Sequence, residues 1–260
     1  MSLFDDENKI IEWFQEEIEK QICIIPQTED AYKIFYYIYN KENWRLWKNS
    51  SGKGDPPPDF YSEDFKIMMD VMRIDDHAYE NSRGKIINPT LKKENEMYNE
   101  ITNSDFIKSI NFKGDIIVNA VTDLPSNEDH NYDFYLKNFE RVINKHIQSI
   151  PLYKSNHPRF KLIFFVFDES SGYLEKEGYM HTRKTGHLVR GRIHNWFLDE
   201  SFVNLVKETE IDYLIWYCPF KYYIGLDENI LPRVCVYDIR KIDTKILQSY
   251  NKEKMVSTEI

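Results

Sequence analysis

Three consecutive prolines, Pro56-Pro57-Pro58, constrain this chain more than any other feature. Each fixes φ and removes a backbone donor, so no helix passes through them and the segment runs extended. Asp59 and Phe60 then open a strand, Ser62-Glu63-Asp64 makes a turn, and Phe65–Ile74 forms a second strand. Within it, residues 66–74 are almost continuously apolar, the pattern of a strand buried on both faces. Asp70 stands in the middle of that run.

A carboxylate there is costly to bury unless it is paired or holds a metal. Asp59 lies eleven positions earlier, across the turn. Neighbouring strands are about 5 Å apart, so a hairpin brings both carboxylates to one point. Two or three converging oxygens suit a hard cation, Mg²⁺ or Mn²⁺. Such a cation polarises a phosphodiester and activates water. The residues also allow a structural reading, in which Asp59 caps the turn after the prolines and Asp70 pairs with Lys66 or Arg73.

Pro58-Asp59, followed by a strand carrying Asp70-Val71-Met72, resembles the PD-(D/E)XK nuclease superfamily, the restriction-endonuclease-like fold. In that family Pro-Asp begins one strand, and an acidic residue, a spacer and a lysine lie on the next. The resemblance makes Asp59 the first carboxylate and Asp70 the second. The lysine position falls on Met72, a departure from the pattern. Arg73 is adjacent but points to the opposite face of a regular strand, whereas Lys66 shares the face of Asp70 and is the candidate for a migrated lysine. The resemblance further implies an acidic residue from an early helix, for which Glu17 is the candidate. The motif covers about twenty residues directly.

The rest of the chain predicts an α/β fold, a central mixed sheet flanked by helices with a restriction-endonuclease-like core. Helical spacing marks 5–21, with Ile11, Phe14, Ile18 and Ile22 on one stripe. A second helix, capped by Thr28 or Asp30, runs to about Tyr39. Trp44–Trp47 reads as a short strand, 91–110 as a polar helix, 115–121 as a buried strand, 131–150 as an amphipathic helix and 161–167 as a buried strand. Counted from the second helix, this order matches the restriction-endonuclease-like core, with Asp59 and Asp70 on the second and third strands. The expected organisation is one domain over 1–260, with its core at about 28–168 and a C-terminal extension at 169–260. In that extension 196–207 reads as a short helix, 212–218 and 233–237 as strands, and the tail from Lys241 as helical, then frayed.

Composition bears on partners and compartment. A net charge of −9 argues against a generally basic nucleic-acid coat but leaves room for a local basic cleft. One local block supplies it. Residues 180–194 carry Arg183, Lys184, Arg190 and Arg192 with no acid, the pattern of a loop or hairpin gripping phosphates. The opposing reading is a solvated hairpin whose charges pair with surrounding acids. His181, His187 and His194 lie too far apart for a helical metal motif. Lys221-Tyr222-Tyr223 could stack bases or contribute aromatic core. Asp75, Asp76, His77 and Glu80 could extend the acidic site, though a solvated strand end is the simpler expectation.

Cys23, Cys218 and Cys235 are isolated and read as core thiols of a reducing cytoplasm. No apolar run has the length of a membrane span, and the acidic N-terminus lacks a signal-peptide pattern. The sequence therefore predicts a cytoplasmic, metal-dependent nuclease acting on DNA or RNA, partnered by nucleic acid and by a second copy or another protein. The alternative is a non-catalytic α/β interaction protein, which the departure at Met72 and the acidic charge favour. Enzymes of small metabolites are disfavoured, since the sequence shows no Gly-rich dinucleotide turn, no Ser elbow and no paired metal histidines.

Overall fold

Runs of apolar and β-branched residues become central strands, because a strand covered on both faces has no polar side to show. The computed structural model describes residues 7–17, 21–50, 57–77, 79–81, 83–109, 130–182, 186–221 and 231–258. In chain order the elements are α1 (Glu7–Phe14), β1 (Ile22–Ile25), α2 (Glu29–Tyr39), α3 (Lys41–Trp44), β2 (Lys48–Asn49), β3 (Phe60–Ser62), β4 (Ile67–Ile74), β5 (Tyr79–Glu80) and β6 (Ile86–Ile87). They continue as α4 (Pro89–Asn103), α5 (Asp105–Ser109), α6 (Tyr132–Ile147), α7 (Ile150–Asn156), β7 (Lys161–Asp168), β8 (Tyr173–Thr182) and β9 (Gly186–Ile193). Last come α8 (Glu200–Lys207), β10 (Tyr213–Tyr217), β11 (Val234–Asp238) and β12 (Met255–Ser257).

Seven strands form a mixed sheet in the order β1-β11-β10-β7-β4-β3-β2. β2, β3 and β4 are an antiparallel meander. β7 then lies parallel to β4, and β10 parallel to β7. Both edges of β4 are thus occupied, by β3 and by β7, and the crossover back to β7 carries α6. Strands from beyond residue 168 complete the sheet, β11 running antiparallel to β10 and parallel to β1.

Alternation along each strand divides the core into two layers. Met68, Met72, Leu162, Phe164, Val166, Leu214 and Trp216 face α6, α7 and α8. Ile67, Met69, Val71, Ile163, Phe165, Ile215 and Val236 face α1 and α2. Phe164, Phe165 and Phe167 are wholly buried, each contributing about 1.5–3 kcal/mol. The helices on both faces cover a mixed sheet, as the sequence predicted.

Several local expectations change. Ile22 belongs to β1 rather than to the first helix, because β11 offers it a parallel ladder. Trp44–Trp47 is not a strand: the Asn40 side chain accepts from the N–H groups of Glu42 and Asn43 and starts α3 there. The strand follows at Lys48. The tail beyond Lys241 holds short 3-10 turns and then β12, which pairs with β8. The expected strand at 115–121 lies outside the described residues.

Candidate functional site

Asp59 is placed by the rigid segment before it. Ser50 donates its backbone N–H to the Asp59 carbonyl at 2.7 Å, and its hydroxyl bonds the carbonyl oxygens of Pro58 and Asp59. Asn156 on α7 donates to the Pro57 carbonyl at 2.7 Å. These contacts anchor the last prolines on the sheet at the start of β3. Phe60 faces Met69 in the β3–β4 ladder, so one step outward Asp59 comes opposite Asp70.

The two side chains meet. Asp59 Oδ2 accepts the Val71 backbone N–H at 2.8 Å, and the charge of Asp70, at the facing ladder position, acts on it. Asp70 is 3% exposed. Its Oδ2 accepts from Tyr153 Oη at 2.8 Å and lies 2.5 Å from His146 Nδ1. Asp59 is half-buried and the His146 side chain 20% exposed, so the pair is reached from solvent on that side.

Burial pushes Asp59 up to about 7, and the charge of Asp70 adds to this; the Val71 N–H works against it, and Glu7 adds a further push. Burial and the Asp70 charge also raise Tyr153, which stays a hydroxyl donor. Among the described residues neither Asp59 nor Asp70 has a lysine or arginine at ion-pair distance; the imidazole of His146 is the one basic neighbour.

The remaining expected residues are dispersed. Lys66 lies in the turn ahead of β4, where its ammonium pairs with Glu63 at 2.9 Å in solvent, away from Asp70. Arg73, on the other face of β4, forms a fork with Glu169 at 2.6 and 3.0 Å. Neither cation takes the place of the missing lysine, and Met72 is buried in the α6 layer. Glu17 pairs with Arg233 at 3.5 Å and accepts from the Tyr217 hydroxyl at 2.8 Å. The charge of Glu7, on α1, contributes instead to the rise of Asp59.

The block at 180–194 is the β8–β9 hairpin. Arg183 and Lys184 lie outside the described residues. Arg190 sits 3.7 Å from Glu177 and Arg192 2.7 Å from Glu175, so these two pair with acids of the facing strand. His194 is buried against Asp199 at 2.7 Å. Lys221 is also buried, its ammonium 3.4 Å from Asp168 and donating to Ser170 Oγ and the Ser171 carbonyl. Asp76 is not a solvated strand end: it is fully buried and bonded to Ser171 and Tyr173.

No protein family, no curated protein and no solved structure was found to match the chain. A pair of carboxylates, one of them raised toward neutral pH by burial and then by the charge of the other, is a donor set that would fit a hard divalent cation.

Three neighbours of the pair were not read from the sequence, and each carried a signal. Glu7 precedes Ile10, Ile11 and Phe14 by three, four and seven positions, so it lies on the buried stripe of α1. His146 extends the stripe Phe139, Val142, Ile143 of α6 in the same way. Tyr153 follows Ile150 by three on α7.

Proposed function

We propose that this chain is a divalent-metal-dependent phosphodiesterase acting on nucleic acid, with Asp59 and Asp70 as the ligands for Mg²⁺ or Mn²⁺. The observation that carries the reading is the pairing of two carboxylates from neighbouring strands without a lysine or arginine beside them among the described residues. Such a pair repels itself, and a divalent cation is the partner that relieves the repulsion while using both groups. The antiparallel meander β2-β3-β4, joined by a helical crossover to a parallel β7, supports the resemblance to the PD-(D/E)XK nucleases.

The roles follow from the contacts. Asp70 is the anchored ligand, because Tyr153 and His146 hold one of its oxygens. Asp59 is the ligand that must give up a proton, and the Val71 N–H keeps it oriented as it does so. His146 and Tyr153 are positioning residues that act through Asp70. A bound divalent cation supplies charge neutralisation at a phosphodiester oxygen and a water acidified toward neutral pH. Nucleic acid would approach from the half-open side, where Asp59 and His146 reach solvent.

The decisive experiment is nicking of supercoiled plasmid, and cleavage of single-stranded RNA, with Mg²⁺ or Mn²⁺ present. Cleavage that falls about a thousandfold in Asp70→Ala, equivalent to about 4 kcal/mol, supports the reading. Cleavage that persists unchanged in that variant removes it.

A second reading is a non-catalytic α/β interaction protein on the same scaffold. Burial of Met72 at the lysine position favours it, together with the engagement of Lys66 and Arg73 elsewhere. Cation binding at Asp59 and Asp70 without cleavage of either substrate is its signature.

A further inference from the structure

A second constellation lies past the end of β4. Asp76 follows that strand by two residues, about 20 Å along the chain from Asp70 at about 3.3 Å per residue. Its carboxylate is fully buried, and its two oxygens differ sharply. Oδ2 accepts three hydrogen bonds, from Ser171 N–H at 2.9 Å, Ser171 Oγ at 2.6 Å and Tyr173 Oη at 2.6 Å. Among the described residues Oδ1 accepts none. It points instead toward two imidazoles, with His130 Nδ1 at 3.3 Å and His77 Nε2 at 3.7 Å. The three ligand atoms all lie within 4.8 Å of one another.

These distances carry a specific meaning. Bonds of about 2.0–2.1 Å to a tetrahedral ion separate neighbouring ligand atoms by about 3.3–3.4 Å. The Asp76–His130 separation already has that value, and the Asp76–His77 separation is a few tenths longer. Two imidazole nitrogens and one carboxylate oxygen are the donor set of Zn²⁺ and its first-row neighbours rather than of Mg²⁺. Ser171 and Tyr173 supply the outer hydrogen bonds that orient a ligating carboxylate. The His77 and His130 side chains are 15% and 24% exposed, so one side stays open to solvent.

We propose that Asp76, His77 and His130 bind one transition-metal ion of the Zn²⁺ class, with three protein ligands and one position open to solvent. The site is chemically distinct from the Asp59–Asp70 pair and does not depend on the function proposed for it. It also has a mechanical consequence. Asp76 and His77 follow β4, and His130 stands just ahead of α6, the helix that carries His146 to Asp70. An ion there ties the end of the strand to the start of that helix.

The test uses the full chain stripped of metal and titrated with Zn²⁺ against a chromophoric chelator, and with Co²⁺ followed by its visible absorption. The expected result is one equivalent per chain. His77→Gln and His130→Gln, at partly exposed positions, should each weaken uptake about 100-fold or more, and Tyr173→Phe about tenfold. Asp70→Asn should bind Zn²⁺ as the parent does. Circular dichroism and the urea midpoint establish that each variant is folded. Folded parent protein that takes up neither ion, or histidine variants that bind like the parent, overturns the proposal. Loss of Zn²⁺ uptake in Asp70→Asn with the histidine variants unaffected does the same, by moving the ion to the other site.

Discussion

Asp70 on β4 and Asp168 on β7 are both almost completely buried, on strands that lie side by side and on the face covered by α6. Their surroundings differ. Asp168 Oδ2 accepts from Tyr135 Oη at 2.5 Å and Trp216 Nε1 at 2.9 Å, with Cys218 Sγ at 3.3 Å, and has the Lys221 ammonium 3.4 Å away. Its Oδ1 accepts the Ser170 N–H at 2.9 Å. Every demand of that charge is met inside the protein. Asp70 has a tyrosine, a histidine and a second carboxylate. A buried acid surrounded by donors and a cation has its charge compensated; a buried acid set against another acid does not. The buried Lys221 compensates Asp168, whereas among the described residues no lysine or arginine stands beside Asp59 or Asp70.

The largest effect is expected at the better-compensated acid, Asp168. Lys221→Met leaves Asp168 charged and without its cation, and should cost about 3–5 kcal/mol of stability in urea unfolding. Asp59→Asn, by contrast, removes a repulsion and keeps an acceptor for the Val71 N–H. Its unfolding midpoint at pH 8 should lie above that of the parent, with little difference at pH 4. A parent-like midpoint for Lys221→Met would show that the lysine is incidental to Asp168.

Stability should also depend on pH through Asp59. Asp59 is raised to about 7 in the folded chain and titrates near 3.9 when unfolded. Below about 4 both states hold the proton and nothing is lost. Between there and about 7 the unfolded chain releases its proton while the folded chain keeps it, so the folded state loses stability as pH rises. Above 7 the loss is complete and levels off. Unfolding midpoints from pH 4 to 8 should show this fall, and Asp59→Asn should flatten it. A bound cation requires the deprotonated pair, so Mn²⁺ affinity followed by calorimetry should tighten between pH 6 and 8. An identical slope in parent and Asp59→Asn would assign the effect to other groups.

The smallest effects belong to the β8–β9 hairpin. Arg190 and Arg192 already pair with Glu177 and Glu175, and exposed pairs of this kind add little to stability. Arg190→Ala should leave the unfolding midpoint unchanged. If the hairpin meets a phosphate backbone, that variant lowers the salt dependence of nucleic-acid binding by about one unit of slope. Binding whose salt dependence is indifferent to Arg190 would confine recognition to other residues.

Much of the architecture was legible along the chain. The runs at 66–74, 161–167 and 212–218 could only be central strands, since their length suits a strand and both faces are apolar. Asp59 and Asp70 were legible as a pair, because a short turn between two strands dictates which residues come opposite. Lys66 and Arg73 pair instead with Glu63 and Glu169, which the sequence did not show. Strand parity says which face a residue shares, but not that a nearer carboxylate, Glu63 or Glu169, will capture its charge.

By itself the amino-acid order determined the alternation of strands and helices, the rigid approach through the prolines and the cost of an acid inside an apolar run. These are local properties, set by backbone sterics and by the spacing of apolar side chains. Only the tertiary structure decided which groups surround each acid. His146 and Tyr153 come to Asp70 from two separate helices, and Lys221 comes to Asp168 from just beyond the end of the neighbouring strand β10. His130 meets Asp76 from more than fifty residues away. Contacts across such separations are set by how layers pack, and the same packing determines whether a buried charge meets an opposite charge or another acid.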